Sequence, residues 1–157
     1  MIRAIHSGGQ TGADQGGLAA AVVLSLQSGG WVPKGWRTED GPAPWLAELG
    51  LREHHARGYP PRTRLNARGT DGTLWFGNPH SPGGKLTLRT VREARKPAYI
   101  VDWRSGWGPP HYEEVEDFRD WLTGHNIEVL NVAGNRESSQ PGIRDMTRHF
   151  LVEALRT

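Results

Sequence analysis

Residues 5–12 read Ile5-His6-Ser7-Gly8-Gly9-Gln10-Thr11-Gly12, and Ala13 to Leu26 after them are dense in Ala, Val and Leu. An apolar opening, a glycine-rich turn and a small-residue helix predict a strand–turn–helix unit. Glycines let the backbone turn tightly and bring a ligand close to main-chain N–H groups. The first N–H groups of a helix lack internal partners and carry the positive end of its dipole, so such a turn attracts anions. The expected ligand is a phosphate, a phosphorylated molecule or a phosphate-like oxyanion. The turn matches neither GxGxxG nor GxxxxGK[ST], which excludes a standard dinucleotide fingerprint and a P-loop.

Outward from this unit the pattern repeats. Strands are expected at 2–6, 30–32, 71–76, 98–101 and 127–132. Helices are expected at 12–27, 61–68, 82–94, 112–123 and 142–155. The second of these follows Pro60, because proline is accepted in a first turn. In 112–123 the apolar residues Val115, Phe118, Trp121 and Leu122 share one helical face. Residues 36–58, broken by Gly41, Pro42 and Pro44, read as a long surface excursion. Short apolar strands alternating with helices predict one α/β domain over 1–157, with a mostly parallel sheet and helices on both faces. Such a sheet holds its ligand at the carboxyl ends of its strands. The turns Ser7–Gly12, Pro33–Gly35 and Gly77–Lys85 are therefore expected to converge.

Composition narrows the classes. The 157 residues are 36% hydrophobic with a mean hydropathy of -0.62, and no stretch approaches the roughly 18 apolar residues of a membrane span. No signal-peptide pattern opens the sequence. The absence of cysteine excludes disulfides, thiol nucleophiles and thiolate metal sites, and fits a reducing cytoplasm. The net charge of +2 does not announce a nucleic-acid partner. Between Arg52 and Arg68, however, five arginines face one acid, Glu53. Two of the three lysines, Lys34 and Lys85, stand in predicted glycine turns and suit an anion.

Candidate ligand contacts follow from these loops. Gly8, Gly9, Gln10, Thr11 and Gly12 offer main-chain N–H groups beside the Ser7 and Thr11 hydroxyls. Lys34 would neutralise the anion, and Gly83, Gly84 and Lys85 would close the other side. Arg62 and Asn66, four apart on one helical face, would point into the crevice. Asp14 is expected to favour the positive helix start and Asp71 to act locally. His54 and His55, adjacent and expected to diverge, lack a metal-site spacing, and no metal is expected.

The segments SGGQTGAD (7–14), GGWVPKGWRTEDGPAP (29–44), YPPRTRLNARGTDGTLWF (59–76), SPGGKLTLRTVREARKP (81–97) and LNVAGNRESSQPGI (130–143) span nearly the whole chain. On them the sequence resembles the molybdenum carrier family, a Rossmann-like group that includes molybdenum-cofactor carriers and LOG-type nucleotide-binding proteins. The resemblance implies a cytoplasmic homo-oligomer whose glycine loops hold molybdenum cofactor, molybdate or another anionic or phosphorylated ligand. Two other readings remain: a LOG-type phosphoribohydrolase acting on nucleoside monophosphates, and a nucleotide-sensing or DNA-binding module. The LOG-type second loop resembles PGGxGTxxE. This chain has Leu86 at that second glycine position and Arg89 at the glutamate position, a charge reversal that argues against hydrolysis. Glu93, one turn further on, is the acid available to substitute.

Overall fold

A computed structural model describes all residues 1–157. The first unit is β1 (Ala4–Ser7), the glycine turn and α1 (Ala13–Val23), followed by β2 (Gln27–Val32). Residues 36–58 are more structured than their composition suggests. They hold β3 (Arg37–Thr38) and β4 (Gly41–Pro42) as a two-residue hairpin, a 3₁₀ turn at Pro44–Leu49, and β5 (Leu51–Glu53), which adds a sixth strand to the sheet. Leu46 and Leu51 of this stretch pack with Leu18, Val32 and Ala43 into a small second core. Helix α2 (Tyr59–Arg68) carries Pro60 and Pro61 in its first turn, where a missing N–H costs nothing. Then come β6 (Gly72–Phe76), α3 (Pro82–Glu93), β7 (Ala98–Val101), α4 (Tyr112–Gly124), β8 (Val129–Gly134) and α5 (Ile143–Leu155). None of these helices is long and apolar enough to cross a membrane.

The six-stranded sheet is parallel throughout, in the order β5-β2-β1-β8-β6-β7. The last strand of the sequence therefore lies in the middle, with Leu130 beside Ile5 on one side and beside Gly72 on the other. Met1 and Ile2 line the same surface cavity as Ala154–Thr157, so the first and last residues are neighbours. Placing β8 and α5 ahead of β1 would give strands that run in sequence order outward from the centre.

Alternation along the strands sorts the side chains between two layers. Ile5, Leu74, Phe76, Leu130 and Val132 join the main core, with Ala20 and Ala21 of α1, Phe118 of α4 and Phe150 and Leu151 of α5. Thr73, Trp75 and Asn131 point to the opposite face, where α2 and α3 pack on one another. There the buried Asn131 amide donates to the Thr73 hydroxyl at 3.1 Å. One face of the sheet is thus oily and the other has polar anchors. Strands β8 and β6 are neighbours whose following helices, α5 and α3, leave to opposite faces. A crevice opens outside the carboxyl ends of such a pair.

Candidate functional site

A cavity of about 480 Å³ occupies that crevice. Strand β6 contributes Trp75, and the end of β8 with the loop after it contributes Ala133–Arg136, Ser138 and Ser139. The glycine turn contributes Gln10, α1 Asp14, α2 Tyr59, Arg62 and Thr63, and α3 with its cap Ser81–Gly83, Leu86 and Thr87. The turns after β1 and β6 converge as expected. The third partner is the loop after β8; Pro33–Gly35 is not part of the cavity.

The glycine turn is built differently from an open anion cradle, because most of its N–H groups are taken up within the protein. Gly9 N donates to Ser7 Oγ at 3.2 Å, Thr11 N to Gln10 Oε1 at 3.0 Å, and Ala13 N to the Asn135 carbonyl at 3.1 Å. Gln10 N donates to Asp14 Oδ2 at 3.2 Å, and Gly8 and Gly134 N–H groups also reach that carboxylate. The acid of this chain's own helix start thus occupies the place assigned to a ligand anion. Burial pushes the Asp14 carboxyl up to about 6, against the pull of Arg62 and of these backbone N–H groups.

The predicted residues divide by role. Ser7, Gly8, Gly9 and Gly12 shape the turn behind the cavity wall. A Cβ on Gly8 would lie 2.0 Å from Arg62 Nη1, and one on Gly9 would meet Val32 and Leu46. Gly12 has φ +80 and sits against the Asn135 carbonyl, so only glycine fits there without strain. Gln10 lines the cavity and donates through Nε2 to the Tyr59 hydroxyl at 3.2 Å. Thr11 Oγ1 donates to Glu39 and accepts from Glu137 N at 3.2 Å, so it joins loops.

Arg62 faces the cavity, but Asn66 does not. Its side chain accepts from Trp31 N at 2.8 Å and donates to Trp31 O at 3.1 Å, tying α2 to β2. Gly83 lines the cavity, and its N–H finds no acceptor within the protein. Gly84 lies against the Asn78 and Pro79 carbonyls, with its N–H donating to Ser81 Oγ at 3.1 Å. Lys85 is exposed on α3 away from the cavity, and Lys34 lines a different one. Asp71 acts locally, accepting from Glu128 N and Val129 N at 3.0 and 2.8 Å. His54 and His55 stack at 4.2 Å rather than diverge.

Sequence reasoning missed Tyr59, Trp75, Asn135 and Arg136. The guanidinium carbons of Arg62 and Arg136 lie 5.2 and 5.9 Å from the Tyr59 ring centre. Arg62 Nη1 is 3.9 Å from Asp14 Oδ2, a charge contact longer than a hydrogen bond. Two donors on the cavity's lining side chains, Arg62 Nε and Trp75 Nε1, are buried with no hydrogen-bond partner. The site presents two arginines, unpaired N–H groups and hydroxyls around a single, already engaged carboxylate. That chemistry suits an acceptor-rich anion.

The model of the circularly permutated YpsA SLOG family matches residues 5–155. This chain belongs to that family. The central position of β8 and the adjacency of the chain's two ends agree with a permuted order of elements. The crystal structure of a protein described as "Putative molybdenum carrier protein" from Syntrophus aciditrophicus SB is similar to this SLOG protein. The two are 34% identical over 99% of this chain and 96% of that one, with a TM-score of 0.82. Among curated proteins there is no match. The family match and this relative, both spanning nearly the whole chain, agree with the Rossmann-like α/β fold.

Proposed function

We propose that this protein binds and carries a small anionic ligand at the carboxyl ends of β6 and β8. The ligand is a phosphate-bearing molecule such as molybdenum cofactor, or a phosphate-like oxyanion such as molybdate. Molybdenum enters from the relative's name; the preference for an anion rests on this chain's residues. Arg62 and Arg136 supply charge, while Gly83 N, the second Gln10 amide hydrogen and the Ser139 hydroxyl supply hydrogen bonds.

The observation that carries the reading is the pair of orphaned donors. A buried N–H without a partner costs about 1–3 kcal/mol, and Arg62 Nε and Trp75 Nε1 both bear that cost in side chains that line the cavity. A ligand oxygen relieves it. Binding without glycosidic cleavage is the better-supported chemistry, because Asp14 is the only carboxylate in the lining and Glu93 is exposed in the last turn of α3.

Self-association goes with this role. Trp103 is buried in the core and Trp121 packs on Tyr99 and Phe118, whereas Val22, Val23 and Trp45 remain exposed around one surface cavity.

Thermal unfolding in phosphate, sulfate, molybdate and tungstate tests the site. A ligand at 100 times its Kd adds about 2.7 kcal/mol of stability. At least one anion should raise the Tm of wild type, and Arg62→Ala should abolish that rise. No shift with any of the four overturns the reading, as does an equal shift in the variant.

A further inference from the structure

Outside the cavity, the hairpin that follows β2 and the loop before α2 bring together three cations that make no ion pair, although Asp40 and Glu53 stand nearby. Lys34, Arg37 and Arg57 line a second cavity of about 470 Å³, with Glu39 as its one acid. Glu39 makes no direct ion pair with them. Its carboxylate accepts from the Thr11 hydroxyl and from the Ser138 hydroxyl and N–H, and none of the three cations makes an ion pair. Unpaired like charges held together disfavour the empty site and favour an anion that joins them.

This second cavity adjoins the first through one side chain. The Arg37 guanidinium carbon lies 5.3 Å from the centre of the Tyr59 ring, and that of Arg62 lies 5.2 Å from the same centre. The two guanidinium carbons are therefore no more than 10.5 Å apart. A hydrogen-bonded link runs the same way: Glu39 N donates to Gln10 Oε1 at 2.9 Å, and Gln10 Nε2 donates to the Tyr59 hydroxyl. The hairpin carrying Arg37 is thus fixed to the residue that walls the main cavity.

We propose that Lys34, Arg37 and Arg57 form a second anion subsite, so that the ligand is an organic molecule with two phosphate-like groups, one on either side of Tyr59. This rests on the anion reading of the main cavity and narrows it. A bare oxyanion would fill one subsite and leave most of the roughly 300–1,000 Å³ typical of small-molecule sites empty. Arg62 and Arg136 hold the first group, Lys34 and Arg57 the second, and Arg37 stands over Tyr59 between them.

Calorimetric titration with hexyl monophosphate and hexane-1,6-diol bisphosphate, at one ionic strength, tests the inference. The two probes share a carbon chain and differ by one phosphate. Wild type should bind the bisphosphate at least tenfold tighter. The double variant Lys34→Ala, Arg57→Ala changes exposed side chains only, and should bring bisphosphate affinity down to that of the monophosphate while leaving the monophosphate unchanged. Equal affinities in wild type, or a bisphosphate preference that survives the double variant, overturn the second subsite alone. Failure of wild type to bind either probe overturns the main-cavity reading with it.

Discussion

Asp14 ties stability to pH in a direction that few carboxylates share. Its carboxyl is raised from 3.8 to about 6, with burial as the main cause and with Arg62 and the Gln10, Gly134 and Gly8 N–H groups opposing. Between those two values the native state holds a proton that the unfolded chain releases. Stability from this group is fully present below pH 3.8 and falls as pH rises towards about 6, after which the loss is complete. A raise of about two units at 1.36 kcal/mol each gives roughly 3 kcal/mol. Other groups act the opposite way. Backbone N–H groups of Val129 and Glu128 hold Asp71 below the usual range, and burial with nearby arginines lowers His6, so both withdraw stability as pH falls. The comparison with Asp14→Asn removes them, since both proteins share every other group. Urea denaturation of the two proteins at intervals from pH 4 to pH 7 reads it. The stability of wild type relative to Asp14→Asn should fall by roughly 2 kcal/mol across that span, most of the full effect. Two parallel pH profiles would refute a buried, proton-holding Asp14.

Three further outcomes follow from named contacts. Gly8→Ala puts a methyl into the Arg62 guanidinium, so anion affinity should drop at least tenfold in a titration with phosphate, with a stability loss of about 1–3 kcal/mol. Asn66→Ala deletes both bonds to the Trp31 backbone and should lower stability by roughly 1–3 kcal/mol in denaturant melts while leaving phosphate affinity unchanged; a changed affinity would return Asn66 to the ligand contacts. Neither wild type nor Glu93→Gln should release free base from nucleoside monophosphates, and turnover lost in that variant would make the protein a hydrolase.

Much of the architecture is legible because local signals and tertiary demands coincide. Glycines at 8, 9 and 12 mark the turn, and apolar runs mark β6 and β7. Strand β5 was hidden: Leu51-Arg52-Glu53 is a three-residue edge strand with two exposed charged side chains, and only pairing with Gly30–Val32 makes it one. The place of β8 was equally hidden, since sequence order does not show which strand is central.

At the site, Gln10, Arg62 and Gly83 were readable from turn and helix positions. Lys85 misled because charge and position give no direction: it lines neither cavity, whereas Lys34 lies outside the main one and lines the second. Sequence could not show that the turn's N–H groups have partners inside the protein: Ser7, Asp14 and Gln10 accept from Gly9, Gln10 and Thr11 N. Trp75 was concealed within an apolar strand. The alternation Thr73-Leu74-Trp75-Phe76 held the signal, because a threonine on the same face as the tryptophan marks the less oily side of the sheet.

The central claim, an anion site walled by Arg62, Trp75, Gly83 and Arg136, is tested most directly by crystals soaked in tungstate. Anomalous scattering locates the metal without reference to any model of the ligand. The account predicts an anomalous peak inside that cavity, within hydrogen-bonding reach of Arg62 and Gly83 N, and its loss in Arg62→Ala crystals. A cavity without a peak, or tungstate bound only elsewhere on the surface, would contradict it.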